Sequence, residues 1–208
     1  MTDPAAPGRR SFLALGDSYT IGESVDSHDR WPNQLARALN ARGIPVEEPV
    51  IIAQTGWTTD ELDAAIDAAT LYGTYHIVSL LIGVNNQYRG RSVEEYRREF
   101  RALLMRAAGF ADGGGRVLVL SIPDWGVTPF AAGRDAAQIA REIDAHNAAN
   151  REETLVAGAS YCNVTPASRA ASSDPSLIAP DGLHPSGRMY AQWTELALPA
   201  AMAILQRS

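Results

Sequence analysis

Ser11-Phe12-Leu13-Ala14-Leu15-Gly16-Asp17-Ser18 is the stretch on which the reading of the fold turns. Its apolar run, Phe12 to Leu15, is short and unbroken, as a fully buried strand is. Gly16 ends the run and suits a sharp turn, because it tolerates backbone angles that a side chain forbids. In an open α/β sheet, ligands bind outside the carboxyl ends of the strands, so Ser18 would be presented at the crevice. The plainer reading is a serine that caps or turns the backbone. The tripeptide alone does not decide between the two, since short motifs arise by chance.

Further strand candidates follow downstream, each separated from the next by a helical pattern. Val50-Ile51-Ile52-Ala53 is the second, with Gln54-Thr55-Gly56-Trp57 as its exit. Ile77 to Gly83 is nearly continuous in apolar residues and reads as a central strand, leaving through Val84-Asn85-Asn86-Gln87-Tyr88. Val117 to Ile122 is the fourth, with an exit loop from Pro123 to Gly133 that carries Trp125 and Phe130, and Tyr161 to Val164 is the fifth. The first helix holds Trp31, Leu35, Ala38 and Leu39 on one face, with Pro32 in its first turn and Gly43 past its end. Thr58 with Glu61 and Ser92 with Glu95 have capping-box spacing. Behind them run the stripes Leu62, Ala65, Ile66, Ala69 and Tyr96, Phe100, Leu103, Leu104, Ala107. A long helix is predicted from about Asp135 to Val156, and a last one from Pro185 or Ser186, kinked or split near Leu198 by Pro199.

This alternation predicts an α/β chain: a three-layer α/β/α sandwich around a central, mostly five-stranded parallel sheet. A flavodoxin-like arrangement fits most simply, although alternation does not fix strand order. Residues 1–10, rich in Pro, Ala, Gly and Arg, read as a loose N-terminal tail, and 11–208 as a single domain.

Composition narrows the function classes. The chain has 208 residues, 46% hydrophobic and 20% charged, with a formal net charge of −6. That balance argues against a nucleic-acid partner, which needs a clustered basic face. All 18 positive charges are arginine, a compositional bias without functional content. The single cysteine, Cys162, permits no intramolecular disulfide and reads as a buried small hydrophobe. No apolar run has transmembrane length or the form of a signal-peptide core, so a cytoplasmic protein without a membrane partner is the expectation. Gly113-Gly114-Gly115 lacks the lysine of a phosphate loop and leads into a strand, so it reads as a turn. His146, Asn147 and Asn150 fit a hydrogen-bonded structural role.

Four polar signals fall at strand exits or in loops beyond them: Ser18, Gly56, Asn85, and the pair Asp181/His184 in Asp181-Gly182-Leu183-His184. In the expected fold they converge on one end of the sheet. A serine hydroxyl becomes a useful nucleophile when a base within hydrogen-bond reach takes its proton, and a carboxylate fixes the tautomer of a histidine base. An attacked carbonyl also needs donors for its oxyanion, which the amides of Ser18 and Gly56 and the side chain of Asn85 could supply. Each signal has its bland counterpart: a strand end at Gly56, a turn residue at Asn85, a helix cap at Asp181/His184. A metal on His184 and Asp181 would lack further ligands at useful spacing.

Together, Gly16-Asp17-Ser18, Gly56, Gly83-Val84-Asn85 and Asp181-Gly182-Leu183-His184 resemble the blocks of the SGNH (GDSL-type) hydrolases, in order, from Phe12 to about Trp193. The resemblance implies ester hydrolysis on a small-molecule substrate, without cofactor or metal. Ser18 would be the nucleophile, His184 the base and Asp181 its partner, with Ser18, Gly56 and Asn85 as the oxyanion hole. Asn86 departs from the family, where many members carry an acid after the block asparagine. Acyl transfer with the same triad, or a non-catalytic binding module on the same fold, are the alternative functions. Trp57, Tyr88, Trp125 and Phe130, close in sequence to the proposed site, suggest aromatic walls of a short pocket suited to small acyl groups or acetylated sugars.

Overall fold

The computed structural model of the protein describes residues 8–111 and 113–206. Five parallel strands, β1 (Phe12–Gly16), β2 (Val50–Ala53), β3 (Ile77–Leu81), β4 (Val117–Leu120) and β5 (Ser160–Cys162), form one sheet in the order β2-β1-β3-β4-β5. That is the flavodoxin-like order, with the switch in winding direction between β1 and β3. Gly16 lies beside Ala53 on one side and Leu81 on the other. The exits of β1, β2 and β3 therefore end level with one another.

The α-helices, in chain order, are α1 (Ser18–Ile21), α2 (Trp31–Ala41), α3 (Thr59–Ala68), α4 (Val84–Tyr88), α5 (Val93–Phe110), α6 (Ala136–Val156), α7 (Thr165–Arg169) and α8 (Gly187–Leu205). α2 packs on α8, while α3 and α6 pack on either side of α5, so two helical layers enclose the sheet. Every residue of β1, β3 and β4 is buried, and the apolar faces of the helices join them in one continuous core that includes Trp31, Trp193, Tyr96 and Phe100.

The helix starts follow the capping chemistry legible in the sequence. The Glu61 carboxylate accepts from the Thr58 amide at 2.9 Å, and Ser92 Oγ accepts from the Glu95 amide at 3.1 Å. Other local expectations are corrected. β5 ends at Cys162 because the chain turns into α7, with Val164 already at φ −92°, ψ −9°. α8 runs unsplit through Pro199. Pro199 is solvent-exposed, as is Glu195, whose carbonyl the proline leaves unpaired and water can reach, while Trp193, Ala197 and Ala201 anchor the opposite face. Of the predicted tail, residues 1–7 lie outside the described residues. Arg10 bonds through its backbone to Pro45 (2.8 Å) and Glu47 (2.9 Å).

A buried polar spine ties α6 to the strand exits. Asn147 accepts from the Ile122 amide (2.8 Å) and donates to the Ile122 carbonyl (2.9 Å). Asn150 donates to the Tyr96 hydroxyl (3.1 Å), which in turn donates to the Ile82 carbonyl (3.0 Å). His146 packs at a tilt against Tyr96 at 5.0 Å between centroids, its Nδ1 2.8 Å from the Glu142 carbonyl. These bonds satisfy the irregular backbone just beyond β3 and β4, where the ladder no longer does. Cys162 is buried, which pushes its thiol up to about 12 and keeps it inert.

Candidate active site

At the end of β1 the chain turns directly into α1. Asp17 caps this helix, its Oδ1 accepting from the Tyr19 amide at 3.0 Å. Ser18 takes the first helical position, so its own N–H has no intrahelical acceptor. Gly16 is required here by contact rather than by the backbone angle expected from sequence. A Cβ would lie 2.2 Å from Thr20 Oγ1 and 2.5 Å from the Leu81 carbonyl, and Gly16 is absent from the positive-φ glycines. The missing side chain lets α1 fold back tightly against the sheet, bringing Ser18 to the rim beside the β3 exit.

The loop before α8 supplies the second component. His184 Nδ1 is 2.5 Å from Asp181 Oδ2. Asp181 Oδ1 accepts from the amides of Leu183 (2.9 Å) and His184 (3.0 Å), and its Oδ2 also accepts from Ser24 Oγ (2.7 Å). Burial works to raise the Asp181 carboxyl, but the bonds from His184, the two amides and Ser24 outweigh it and hold the pKa at about 2. Asp181 is therefore ionised throughout the neutral and mildly acidic range. Tyr19 packs edge-on against the His184 ring at 5.6 Å. Ser18 and His184 open into the same cleft, with no direct hydrogen bond between Ser18 Oγ and the imidazole. In enzymes, hydrogen bonds between a nucleophile and its base are often long without substrate and tighten only around it.

Donors converge from two further exits. Gly56 has φ +87° with open space where a Cβ would stand, so its backbone angle is what demands glycine. Asn85 donates one amide proton to the Trp57 carbonyl at 2.9 Å, leaving the other without a protein partner among the described residues. Arg89 braces the Gly56 loop from α4, donating to the Gly56 carbonyl at 2.7 Å and to both Glu61 oxygens at 3.2 and 3.1 Å. Gly83, at φ +127° and pressed on the Tyr96 ring, makes the turn that aims Asn85 at the cleft.

Asn86 points the other way. It is fully buried, accepts from the Thr59 amide at 3.1 Å and donates to Thr59 Oγ1 at 2.6 Å, with Thr59 Oγ1 also bonded to Glu99. An uncharged amide can both accept and donate here, which a carboxylate could not, so this departure serves the junction of α3, α4 and α5.

The cleft has a volume of about 160 Å³. Ser18, Gly56, Asn85 and His184 line it, and Tyr88, Trp125 and Phe130 form its aromatic wall; the Trp57 side chain does not line it, being packed against the core instead. Tyr19, Thr55, Val84 and Leu183 complete the lining. They carry no chemical signature that would set them apart in sequence, only adjacency to the residues that do. Among the described residues no group of three His, Cys, Asp or Glu side chains is placed to hold a metal, and no helix is long and apolar enough to cross a membrane.

Asp17 itself is a latent cost. It is 1% exposed and its Oδ2 has no hydrogen-bond partner. Burial raises its pKa to about 7, the Tyr19 amide pulling only partly against it. An unfolded aspartate ionises near ~3.9, so between about pH 4 and 7 the folded chain keeps a proton the unfolded chain has released. The stability contributed by Asp17 is thus full below about 4 and lost as pH rises through about 7. Asp17→Asn, which keeps the acceptor for Tyr19, is expected to gain on the wild type over that window. The gain at pH 8 should be on the order of 2–4 kcal/mol by chemical denaturation. Parallel stability curves would show that the carboxylate is accommodated ionised.

A flavodoxin-like α/β/α sheet whose exits assemble a serine, an aspartate-bound histidine and free amide donors defines a class of serine-type hydrolase domain. Residues 14–192 match the model of the GDSL-like lipase/acylhydrolase family, and the chain belongs to that family, whose members are SGNH-type esterases. No curated protein sequence matches the chain. Among solved structures, the lipase/acylhydrolase from Enterococcus faecalis superposes with a TM-score of 0.73 at 19% identity, covering 96% of this chain and 98% of that one. Axe2, an acetylxylan esterase from Geobacillus stearothermophilus, gives 0.69 at 16% identity over 98% and 97%. The psychrotrophic esterase EstA from Pseudoalteromonas sp., in a form inhibited by monoethylphosphonate, gives 0.68 at 15% over 95% and 100%. At these identities the likeness establishes the fold.

Proposed function

We propose that the protein hydrolyses esters of short acyl groups, acetylated carbohydrates among them, through an acyl-enzyme on Ser18. The observation that carries the reading is the shared cleft: Ser18, the Asp181-bound His184, and the donors at Gly56 and Asn85 all open into it. Ser18 Oγ attacks the ester carbonyl carbon while His184 Nε2 takes its proton. The carbonyl oxygen becomes an oxyanion held by the N–H groups of Ser18 and Gly56 and by the free amide proton of Asn85. As the intermediate collapses, the alcohol leaves with the proton from His184. Water, deprotonated by the same imidazole, then attacks the acyl-enzyme and releases the acid. Asp181, ionised across the neutral and mildly acidic range, holds the tautomer and stabilises the imidazolium.

Substrate size follows from the walls. The cleft is smaller than the range of roughly 300–1,000 Å³ usual for drug-sized ligands, and the three aromatic rings lie across it. Flat rings stack well against sugars and leave little room for a long chain. Axe2 is an acetylxylan esterase and EstA an esterase inhibited by a phosphonate, both in keeping with this reading. The test compares kcat/KM for acetyl, butyryl, octanoyl and palmitoyl esters of one alcohol. A maximum at acetyl or butyryl is expected. A rate climbing steadily to palmitoyl, or seen only with micelles, would overturn the short-acyl assignment.

A further inference from the structure

One guanidinium sits over the whole aromatic wall. The Arg134 carbon Cζ lies 5.1 Å from the Tyr88 ring centroid, 5.2 Å from Trp125 and 5.5 Å from Phe130. The rings themselves form a triangle with centroid separations of 5.4, 6.2 and 6.0 Å. Arg134 Nη2 also donates to the Tyr88 hydroxyl at 3.1 Å. No carboxylate forms a salt bridge with Arg134 among the described residues, so the rings and that hydroxyl are the partners holding it.

Behind the wall is a second depression of about 290 Å³, lined by Gln87, Arg134, Asp135, Gln138, Ile139 and Glu142, and by Tyr88 and Trp125, which it shares with the catalytic cleft. The two shared side chains differ in how firmly they are fixed. Trp125 is buried, and its Nε1 donates to Gln87 Oε1 at 2.8 Å, while Gln87 in turn donates to Glu142 at 2.7 Å. Tyr88 is 45% exposed, and Arg134 is the partner of its hydroxyl. On the Tyr88 side the partition is held by the Arg134 hydrogen bond and cation contact together with the ring contacts to Trp125 and Phe130.

We infer that Arg134 is a positioning residue that latches Tyr88 and so sets the acyl-length limit of the cleft. With the latch released, Tyr88 can rotate toward solvent and join the cleft to the space behind it, giving an acyl chain beyond about four carbons room to lie along Trp125 and Ile139. The inference rests on the short-acyl reading above and names the device behind it. A planar guanidinium can meet several rings while keeping a hydrogen bond, which an ammonium does poorly.

The experiment measures kcat/KM for acetyl and octanoyl esters of one alcohol in the wild type and in Arg134→Ala, Arg134→Lys and Tyr88→Phe. Pocket contacts discriminate by about tenfold or more when a chain segment gains or loses its site. Arg134→Ala is expected to raise the octanoyl-to-acetyl ratio at least about tenfold, through a lower KM for octanoyl, with Arg134→Lys and Tyr88→Phe in between. Arg134 and Tyr88 are surface positions, and unfolding would lower both rates without moving the ratio. A ratio unchanged within twofold in Arg134→Ala with the wild-type thermal midpoint, or in Tyr88→Phe and Arg134→Lys where Arg134→Ala is unfolded, would overturn the latch. A wild type that turns over neither ester, or already prefers octanoyl, would overturn the short-acyl reading itself.

Discussion

Ser18→Ala is expected to fold as the wild type does and to lose ester turnover by ~10⁶ in kcat, the scale on which removal of a serine nucleophile acts. The fold should survive because Ser18 Oγ has no protein hydrogen-bond partner among the described residues, so its removal orphans nothing. The helix start is also preserved, since the cap belongs to Asp17 and its bond to the Tyr19 amide. Loss of turnover with unchanged substrate binding and thermal midpoint is the outcome that follows. Residual activity within tenfold of wild type would place the nucleophile elsewhere, or make water attack directly on an activated carbonyl.

Asn85→Ala is expected to cost ~10²–10³ in kcat with little change in KM, as loss of one oxyanion donor does. Its side chain does two things at once: it opens one amide proton to the cleft and ties the other to the Trp57 carbonyl. The second bond holds the Gly56 loop, so some of the loss arises from a second displaced donor. Arg89 and Glu61 brace that same loop independently, which keeps the loss short of that for Ser18. The kinetic split is the decisive reading, because an oxyanion exists only after attack. An effect confined to KM would make Asn85 a ground-state substrate contact.

The strands, the capping boxes and the four exits are legible in the sequence because each depends on a local pattern of burial or hydrogen bonding. Strand order is not, since β2-β1-β3-β4-β5 is a matter of which edges meet, and alternation is silent on that. Trp57 shows the limit at the site itself. Adjacent to Gly56 with its φ of +87°, it is half-buried and packed against the core rather than lining the cleft, while its carbonyl anchors Asn85. Gly16 reads as a turn glycine and is instead a contact glycine, a distinction set by Thr20 folding back from α1 and by the Leu81 carbonyl of the neighbouring strand. Ser24 gives no signal in the sequence at all. It lies in a loop without periodicity, at φ +65°, and meets Asp181 across 157 residues of sequence. A non-glycine residue held in that region is a signal only backbone geometry can give.

The central claim is that Ser18 carries the acyl group. A fluorophosphonate that reacts with activated serines, followed by peptide mapping by mass spectrometry, tests it most directly. One adduct per chain is predicted, on Ser18, forming in step with the loss of esterase activity and suppressed by substrate. An adduct on another serine, or full inactivation with Ser18 unmodified, would contradict it.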